Sequence, residues 1–149
     1  MKPQKILIIL NYYYPYISGV SEYAKCAAEM MVKKGYNVTV LTSNHANLKP
    51  YEVMNGVHIY RAKVLCKISK GVISPDFVWL AKKLSNDSDI INMHLPMLES
   101  GLISLLVSKE KLITMYQCDV NLPKSILNNV IVKIMDISHS ICLNRSKKI

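Results

Sequence analysis

The chain has 149 residues, of which 50% are apolar and 19% are charged. This length suits one domain with a substantial core, and the composition is that of a globular rather than a disordered protein. The formal net charge of +9 favours anionic partners such as nucleotide phosphates, nucleic acid or an acidic lipid surface. Because no RNA-binding signature or helix-turn-helix pattern is present, we expect no nucleic-acid partner.

Cysteine usage and apolar run lengths both predict a cytoplasmic protein. The four cysteines are far apart and form no CxxC pair, which predicts reduced thiols: Cys26, Cys66, Cys118 and Cys142. The N-terminal apolar run, Ile6–Leu10, is too short for the core of a signal peptide, and no run approaches the roughly 20 residues of a membrane span. Three of the four histidines, His45, His58 and His139, are far apart in the sequence and lack the spacing of metal ligands, so we expect no metal site.

The stretch Lys5–Lys34 predicts a strand, a loop and an amphipathic helix. Ile6–Leu10 is an unbroken apolar run, which is typical of a central strand in a parallel sheet. Apolar residues then recur at helical spacing: Val20, Ala24, Ala27, Ala28 and Met31. Gly35 predicts the end of this helix. The β-branched run Asn37–Thr42 predicts a second strand, parallel to the first.

The next segment predicts a hairpin and a second helix. Tyr51–Ala62 has Asn55-Gly56 between two β-prone runs, a strong hairpin signal. Lys63–Gly71 is basic and irregular, and we interpret it as a mobile connection. Ser74-Pro75-Asp76 has the capping hydroxyl, first-turn proline and acid that start a helix. Its predicted buried stripe is Ile73, Phe77, Leu80, Ala81 and Leu84.

Strands and helices continue to alternate to the end of the chain. The predicted elements are strand Asp89–Met93, helix Glu99–Ser108, strand Leu112–Tyr116, helix Ser125–Met135 and strand His139–Leu143. Regular alternation predicts an α/β fold with a doubly wound, mostly parallel sheet and an added β-hairpin, as one domain over residues 1–149. The sequence ends where another crossover helix is due, so either the domain has a bare edge strand or a larger protein has been cut, and we favour the cut.

The loop after the first strand lacks the motifs of common nucleotide-binding folds. It contains neither GxGxxG nor a P-loop pattern, which argues against a dehydrogenase or a phosphate-loop ATPase. It does contain Ser18-Gly19 before the first helix, where an anion could approach the main-chain amides of a helix start. The alternative interpretation of Ser18-Gly19 is a plain tight turn.

Polar residues follow three strands at the same predicted edge of the sheet. They are Tyr14–Gly19 after the first strand, His94 after Asp89–Met93, and Gln117-Cys118-Asp119 after Leu112–Tyr116. The carboxyl ends of parallel strands are where such sheets form a ligand crevice. The alternatives are that His94 is a hydrogen-bonded loop histidine and that Asp119 caps a turn.

The order of these features resembles the N-terminal domain of the family four retaining glycosyltransferases, which have the GT-B fold. The matching pieces, in order, are KILIIL, SGVSEYA, KKGYNVTVLT, NGVHIYRA, DIINMHLP, ITMYQCDV and DISHSICLN. They span nearly the whole chain. The resemblance implies a Rossmann-like domain on the acceptor side of a sugar-transferring enzyme.

The resemblance also implies roles for individual residues. Ser18, Gly19 and Val20 match the loop that holds the donor diphosphate, although Ser18 stands where the family has a first glycine. Tyr14 and His94 are assigned to the sugar and acceptor. Asp119 and Gln117 are expected to be the catalytic residues. Asp119 matches a residue near the transferred sugar, and Gln117 stands where the family has a histidine, so Gln117 can bind a hydroxyl but cannot exchange a proton.

A second domain, with paired glutamates in an E-x7-E motif, completes the site in this family, and nothing in the chain matches it. The resemblance therefore implies the N-terminal half of a retaining glycosyltransferase, which transfers a sugar from a nucleotide-sugar donor to a glycan or lipid-linked acceptor without a cofactor or metal. Cell-surface polysaccharide synthesis is the expected setting, and the chain alone is expected to be inactive. The alternatives are a non-catalytic module for an anion, a glycan or a separate catalytic half, and an inactive fragment.

A peripheral contact with the inner membrane face is a further expectation. The basic residues Arg61, Lys63, Lys67 and Lys70 could touch anionic lipid, and the alternative is that they form a solvated basic face.

Overall fold

The fold is that of a computed structural model, which describes residues 3–68, 71–118, 123 and 125–147. It contains strands β1 Lys5–Ile9, β2 Asn37–Asn44, β3 Tyr51–Met54, β4 Val57–Lys63, β5 Cys66–Ile68, β6 Gly71–Ile73, β7 Ile90–Leu95 and β8 Leu112–Tyr116. The helices are α1 Gly19–Lys33, α2 Pro75–Asn86, α3 Ser100–Leu106 and α4 Ile126–Arg145, and a short 3-10 turn covers Lys109–Lys111.

Six of the described strands form one sheet in the order β3-β4-β2-β1-β7-β8. All neighbours are parallel except β3, which pairs antiparallel with β4 at one edge. The order of the parallel strands reverses next to β1, because the chain moves outwards through β2 and β4 and then returns to place β7 on the other side of β1. This confirms the predicted α/β fold with a mostly parallel sheet and an added hairpin, and it is compatible with a Rossmann-like fold.

Helices cover both faces of the sheet, so the fold is doubly wound. On one face Ala24 and Ala28 of α1 pack against Ile8 and Val40. On the other face α2, α3 and α4 pack together with the remaining inward side chains of the central strands. The central strand β1 alternates between these two cores, which explains why its sequence is apolar without interruption.

Local chemistry places the helix and turn boundaries close to those predicted. Ser18 and Ser74 are the N-caps of α1 and α2, and each hydroxyl accepts a hydrogen bond from a main-chain N–H in the first turn of its helix. Gly35 ends α1 with a φ of 89°. Asn55 and Gly56 have φ values of 51° and 81°, as a tight two-residue hairpin requires. Phe77 and Ala81 are buried on α2 as predicted, while Leu80 and Leu84 are partly buried.

Two predictions of secondary structure are wrong. The segment Lys63–Gly71 is not irregular throughout, because β5 and β6 form a small antiparallel sheet of their own. The predicted last strand, His139–Leu143, is part of the helix α4. The buried residues of α4 recur at helical spacing, namely Ile131, Met135, Ser138, His139 and Cys142. The outer parallel edge of the sheet is therefore β8 in the described residues.

The helix α4 packs on α3 and leaves an apolar stripe exposed. The stripe consists of Ile126, Leu127, Val130, Ile134 and Ile137. In the described part of the chain, α4 is the one helix whose length and mean hydropathy of 1.3 would suffice to cross a membrane. A helix that covers the core of a water-soluble protein can meet the same two criteria, so this finding is weak evidence for a span.

Candidate functional site at the carboxyl rim

The carboxyl rim is the edge of the sheet where the parallel strands end, and its centre lies where the strand order reverses between β1 and β7. At such a reversal the loops leaving the two strands turn to opposite faces, because α1 follows β1 on one face and α3 follows β7 on the other. In open α/β sheets the space between such loops is where ligands usually bind. The rim thus brings together the loops in which the sequence predicted functional residues.

The start of α1 presents two main-chain donors at this rim. The N-cap Ser18 accepts from the Ser21 N–H at 3.2 Å, and the Ser21 hydroxyl accepts from the Ser18 N–H at 2.8 Å. No described group accepts a hydrogen bond from the N–H of Gly19 or Val20. A Cβ atom at Gly19 would meet nothing within 4 Å, and Gly19 does not have a positive φ. Neither packing nor backbone conformation therefore requires a glycine here.

His94 lies at the end of β7 on the same face as α1. It is only 3% exposed, its Nδ1 is 3.3 Å from Gln117 Oε1, and its ring centroid is 6.2 Å from that of Tyr23 in α1. Burial lowers the pKa of His94, and the contact with Gln117 offsets this only in part. The ring is therefore neutral near pH 7. With Nδ1–H donating to Gln117, the buried Nε2 is an acceptor, and it has no hydrogen-bond partner among the described residues.

A tyrosine-rich pocket occupies the rim beyond β1, on the side of β2 and β4. Its volume is about 450 Å³. The lining residues, which define the tyrosine pocket, are Tyr12, Tyr13, Tyr14, Pro15, Tyr16, Ser43, His45, Ala46, Leu48 and Arg61. Tyr12 and His45 stack at 4.2 Å between ring centroids, and Tyr12 also contacts Tyr16 at 4.7 Å. Aromatic walls with a few polar groups are typical of small-molecule sites.

Arg61 lines the tyrosine pocket and is only 3% exposed. Its guanidinium donates to the Glu52 carboxylate at 2.6 Å, to Tyr14 O at 3.1 Å and to Lys49 O at 3.3 Å. The prediction that Arg61 contacts lipid is therefore wrong, because its charge is buried and paired. Lys63 is exposed, and the side chains of Lys67 and Lys70 lie outside the described residues.

The other residues predicted for the site are only partly brought together. Gln117 and His94 are in contact, as expected for residues that end neighbouring strands. Tyr14 faces the tyrosine pocket, and no contact joins it to His94 in the described residues. Asp119 lies outside the described residues. No group of three or more His, Cys, Asp or Glu side chains is arranged as a metal site in the part of the chain that the structure describes.

Three polar residues at the rim were not predicted, namely Asn11, Ser43 and Glu99. Asn11 and Ser43 are 8% and 4% exposed, and both carboxylate oxygens of Glu99 are shielded from solvent. Burial raises the pKa of Glu99. The main chain at Glu99 itself and at Ser74, and the Asn11 side chain, lie close enough to offset this rise in pKa in part, although none of them meets the distance and angle of a hydrogen bond to the Glu99 oxygens. The one sequence signal was an acid in the loop that follows a strand, which we interpreted as the first residue of a helix.

The fold is that of an α/β protein with a six-stranded, mostly parallel sheet, compatible with a Rossmann-like fold. Comparison with protein-family models finds no match, and comparison with curated protein sequences finds none either.

Proposed function

We propose that the chain is the acceptor-side domain of a retaining glycosyltransferase that uses a nucleotide-sugar donor. The observation that carries this proposal is the arrangement at the strand-order reversal. The N–H groups of Gly19 and Val20, which have no acceptor among the described residues, start a 15-residue helix. The Tyr23 ring of that helix lies 6.2 Å from the ring of the buried, neutral His94. Helix-start amides bind phosphate oxygens, and a buried imidazole nitrogen accepts a hydrogen bond from a hydroxyl.

In this proposal each part of the rim has a separate task. The amides of Gly19 and Val20 hold the diphosphate of the donor, with the Ser18 side chain engaged in capping the helix. His94 Nε2 accepts a hydrogen bond from a hydroxyl of the transferred sugar, and Gln117 orients the His94 ring. The tyrosine pocket, including Tyr14, receives the acceptor. Asp119 next to the sugar remains a prediction. A second, donor-binding domain would complete the cleft and supply the paired glutamates.

The experiment is a titration of the ¹⁵N-labelled chain with UDP and with GDP, followed by amide chemical shifts. We expect the Gly19 and Val20 signals to move with a saturable dependence on nucleotide. Gly19→Val should abolish these shifts, because its side chain fills the space where a phosphate would approach, whereas Gly19→Ala should weaken them less. The far-ultraviolet circular dichroism of both variants should match the parent. If neither nucleotide moves these two signals, the diphosphate role is wrong.

A second candidate function is a partner-binding module, and the exposed apolar stripe of α4 favours it. Five large apolar side chains on one helix are an unusual surface for a monomer. In this alternative the stripe docks onto a protein that contains the catalytic half. Ile134→Lys should then abolish co-purification with a partner that carries an E-x7-E motif. Equal recovery of that partner with the variant would contradict this function.

A further inference from the structure

Three neighbouring strands deliver buried polar side chains without partners to one place on the carboxyl rim. Ser43 is in β2, Asn11 follows β1, and Glu99 follows β7, and these strands are adjacent in the sheet. In the described residues no hydrogen bond reaches Ser43 Oγ, Asn11 Oδ1 or either carboxylate oxygen of Glu99. We call these three residues the rim row.

The side chains of the rim row lie on the same face of the sheet. The parallel register pairs Ile9 with Leu41, and both pack in the core beneath α2, α3 and α4. Asn11 and Ser43 follow two residues later and are joined by a hydrogen bond from Ser43 N to Asn11 O at 3.2 Å. Since side chains alternate along a strand, Ser43 points to the face of Leu41. Glu99 lies there too, because its neighbours are the Asn11 side chain and the main chain at Ser74.

This arrangement does not help the fold. A buried polar group without a partner destabilises a protein, and a buried carboxylate does so most. The same region shows that the chain can satisfy such groups, since Ser138 Oγ donates to Leu98 O at 2.6 Å and accepts from Gly101 N at 2.8 Å. Groups that a fold keeps unpaired in a cleft are typical of binding sites, where local rules are broken for function.

The atoms of the rim row determine which ligand would suit it. Asn11 Oδ1 and the two Glu99 oxygens only accept hydrogen bonds, and Ser43 Oγ can do both. A ligand that satisfies these atoms must therefore donate hydrogen bonds. A phosphate lacks donors, and the Glu99 carboxylate would in any case repel it. Ser43 also lines the tyrosine pocket, so the row adjoins aromatic rings. A carbohydrate has both matching features, because its hydroxyls donate hydrogen bonds and its C–H face packs on aromatic rings.

We propose that the rim row binds the ring hydroxyls of a carbohydrate, with the Glu99 carboxylate accepting from two neighbouring hydroxyls while the ring packs in the tyrosine pocket. The identification of this carbohydrate as the acceptor sugar rests on the proposed glycosyltransferase function. The binding itself does not, because the rim row lies on the opposite face of the sheet from His94 and uses neither Gly19 nor Val20.

The test uses the full chain and a panel of methyl glycosides of common hexoses and pentoses, observed by NMR. At least one glycoside should shift the signals of Asn11, Ser43 and Glu99. Glu99→Gln should weaken its binding about tenfold or more, as expected for loss of a hydrogen bond to a charged group. Glu99→Gln should also raise the urea midpoint of unfolding at neutral pH, because it removes a buried unpaired charge. The matched control is Glu110→Gln, since Glu110 is exposed. Ser43→Ala is a second variant that should keep the fold and weaken binding.

Several results would overturn this proposal. A lower unfolding midpoint in Glu99→Gln would make Glu99 a structural residue. The absence of a response to any glycoside would contradict carbohydrate binding. A response of the rim row to Ca²⁺ or Mg²⁺ alone would make it a cation site. The glycosyltransferase proposal is tested by different NMR signals, those of the Gly19 and Val20 amides. If the glycosides shift the rim row while UDP and GDP leave Gly19 and Val20 unmoved, the carbohydrate site stands and the donor site does not.

Discussion

The two rims of the parallel sheet differ in whether their polar groups have hydrogen-bond partners. At the amino rim, where the strands begin, the Lys5 N–H donates to Asp89 Oδ2 at 2.8 Å and Lys111 Nζ donates to Ser88 O at 2.6 Å. The buried Ser88 hydroxyl donates to Leu84 O at 2.8 Å. At the carboxyl rim, side-chain atoms of four residues are shielded from solvent and have no partner among the described residues, namely Asn11 Oδ1, Ser43 Oγ, His94 Nε2 and the two Glu99 oxygens. One further such atom, Asn92 Oδ1, lies midway along β7.

The contrast indicates what each rim does. The amino rim joins strands to helices and satisfies its hydrogen-bonding groups, which is what stability requires. The carboxyl rim holds groups at a cost of about 1–3 kcal/mol each in unmade hydrogen bonds. Proteins depart from local satisfaction at functional sites and make up the stability elsewhere. The difference between the rims therefore favours the carboxyl rim as the candidate site, independently of any motif.

The largest expected effect is on stability, and it tests whether the carboxyl rim is open only at the start of α1 or loosely packed throughout. Gly101 and Gly19 both lie near the start of a helix on this rim, but a Cβ at Gly101 would lie 2.9 Å from the Cα and O atoms of Ser138 in α4. We expect Gly101→Ala to lower the free energy of unfolding by about 1–3 kcal/mol through overpacking. Gly19→Ala should change it by less than about 0.5 kcal/mol. Urea unfolding measures both. Equal losses would mean that Gly19 is also a packing residue.

An intermediate effect compares matched serines from the two rims. Ser88 and Ser43 are 6% and 4% exposed, but the Ser88 hydroxyl is hydrogen-bonded and the Ser43 hydroxyl has no partner among the described residues. Ser88→Ala should destabilise by about 1 kcal/mol because it removes a made hydrogen bond. Ser43→Ala should be neutral or stabilising. Thermal unfolding of the two variants decides, and a loss at Ser43 as large as that at Ser88 would remove the distinction between the rims.

The smallest expected effect is a dependence of stability on pH. Burial lowers the pKa of both His94 and His139 from the usual value of 6.5. The unfolded chain therefore binds protons first, so stability is complete above about pH 6.5 and declines as the pH falls through the folded-state pKa values. His94→Gln and His139→Gln should each flatten this decline, by about 1 kcal/mol or less.

The raised pKa of Glu99 acts in the opposite direction, because the folded state then holds a proton that the unfolded state releases. Differences between variants across the pH range, rather than the absolute curve, are therefore the measurement. If both histidine variants keep the parent's pH dependence, the acid loss arises from other groups.

The sequence predicted the first half of the fold well because its signals are local. Strand β1, helix α1 and strand β2 follow from hydrophobic spacing, and the hairpin follows from Asn55-Gly56, whose positive φ values a short turn needs. Ser74-Pro75 likewise predicted the start of α2 to the residue. In each case the determining chemistry lies within a few residues along the chain.

The second half of the fold was harder to predict, because its apolar runs are short and its structure depends on contacts between distant parts of the chain. His139–Leu143 is an apolar run of five residues, and a run of that length fits a strand or a buried helix segment equally. The helix was decided by contacts with α3, where the Ser138 hydroxyl lies against Gly101. The pair Cys66–Ile68 and Gly71–Ile73 lacked an alternating pattern, so only the structure revealed β5 and β6.

The candidate site divides in the same manner. The contact between His94 and Gln117 could be predicted, because both residues end neighbouring parallel strands. The rim row could not, because burial and the lack of a hydrogen-bond partner depend on how three separate strands and α2 pack. Arg61 was misjudged for a related reason, since a basic residue in a sequence gives no sign of the Glu52 carboxylate that pairs with it.

The hydrogen bonds of Arg61 have a consequence for how tightly the carboxyl rim can bind. Its guanidinium joins β4 to the Glu52 carboxylate of β3, to the Lys49 carbonyl and to the Tyr14 carbonyl in the loop after β1. The aromatic loop is therefore held in place by a side chain rooted in the sheet before any ligand arrives. Binding to a wall that is already ordered loses less conformational entropy. The antiparallel edge strand β3 thus helps to preorganise the tyrosine pocket, because its Glu52 holds the Arg61 side chain.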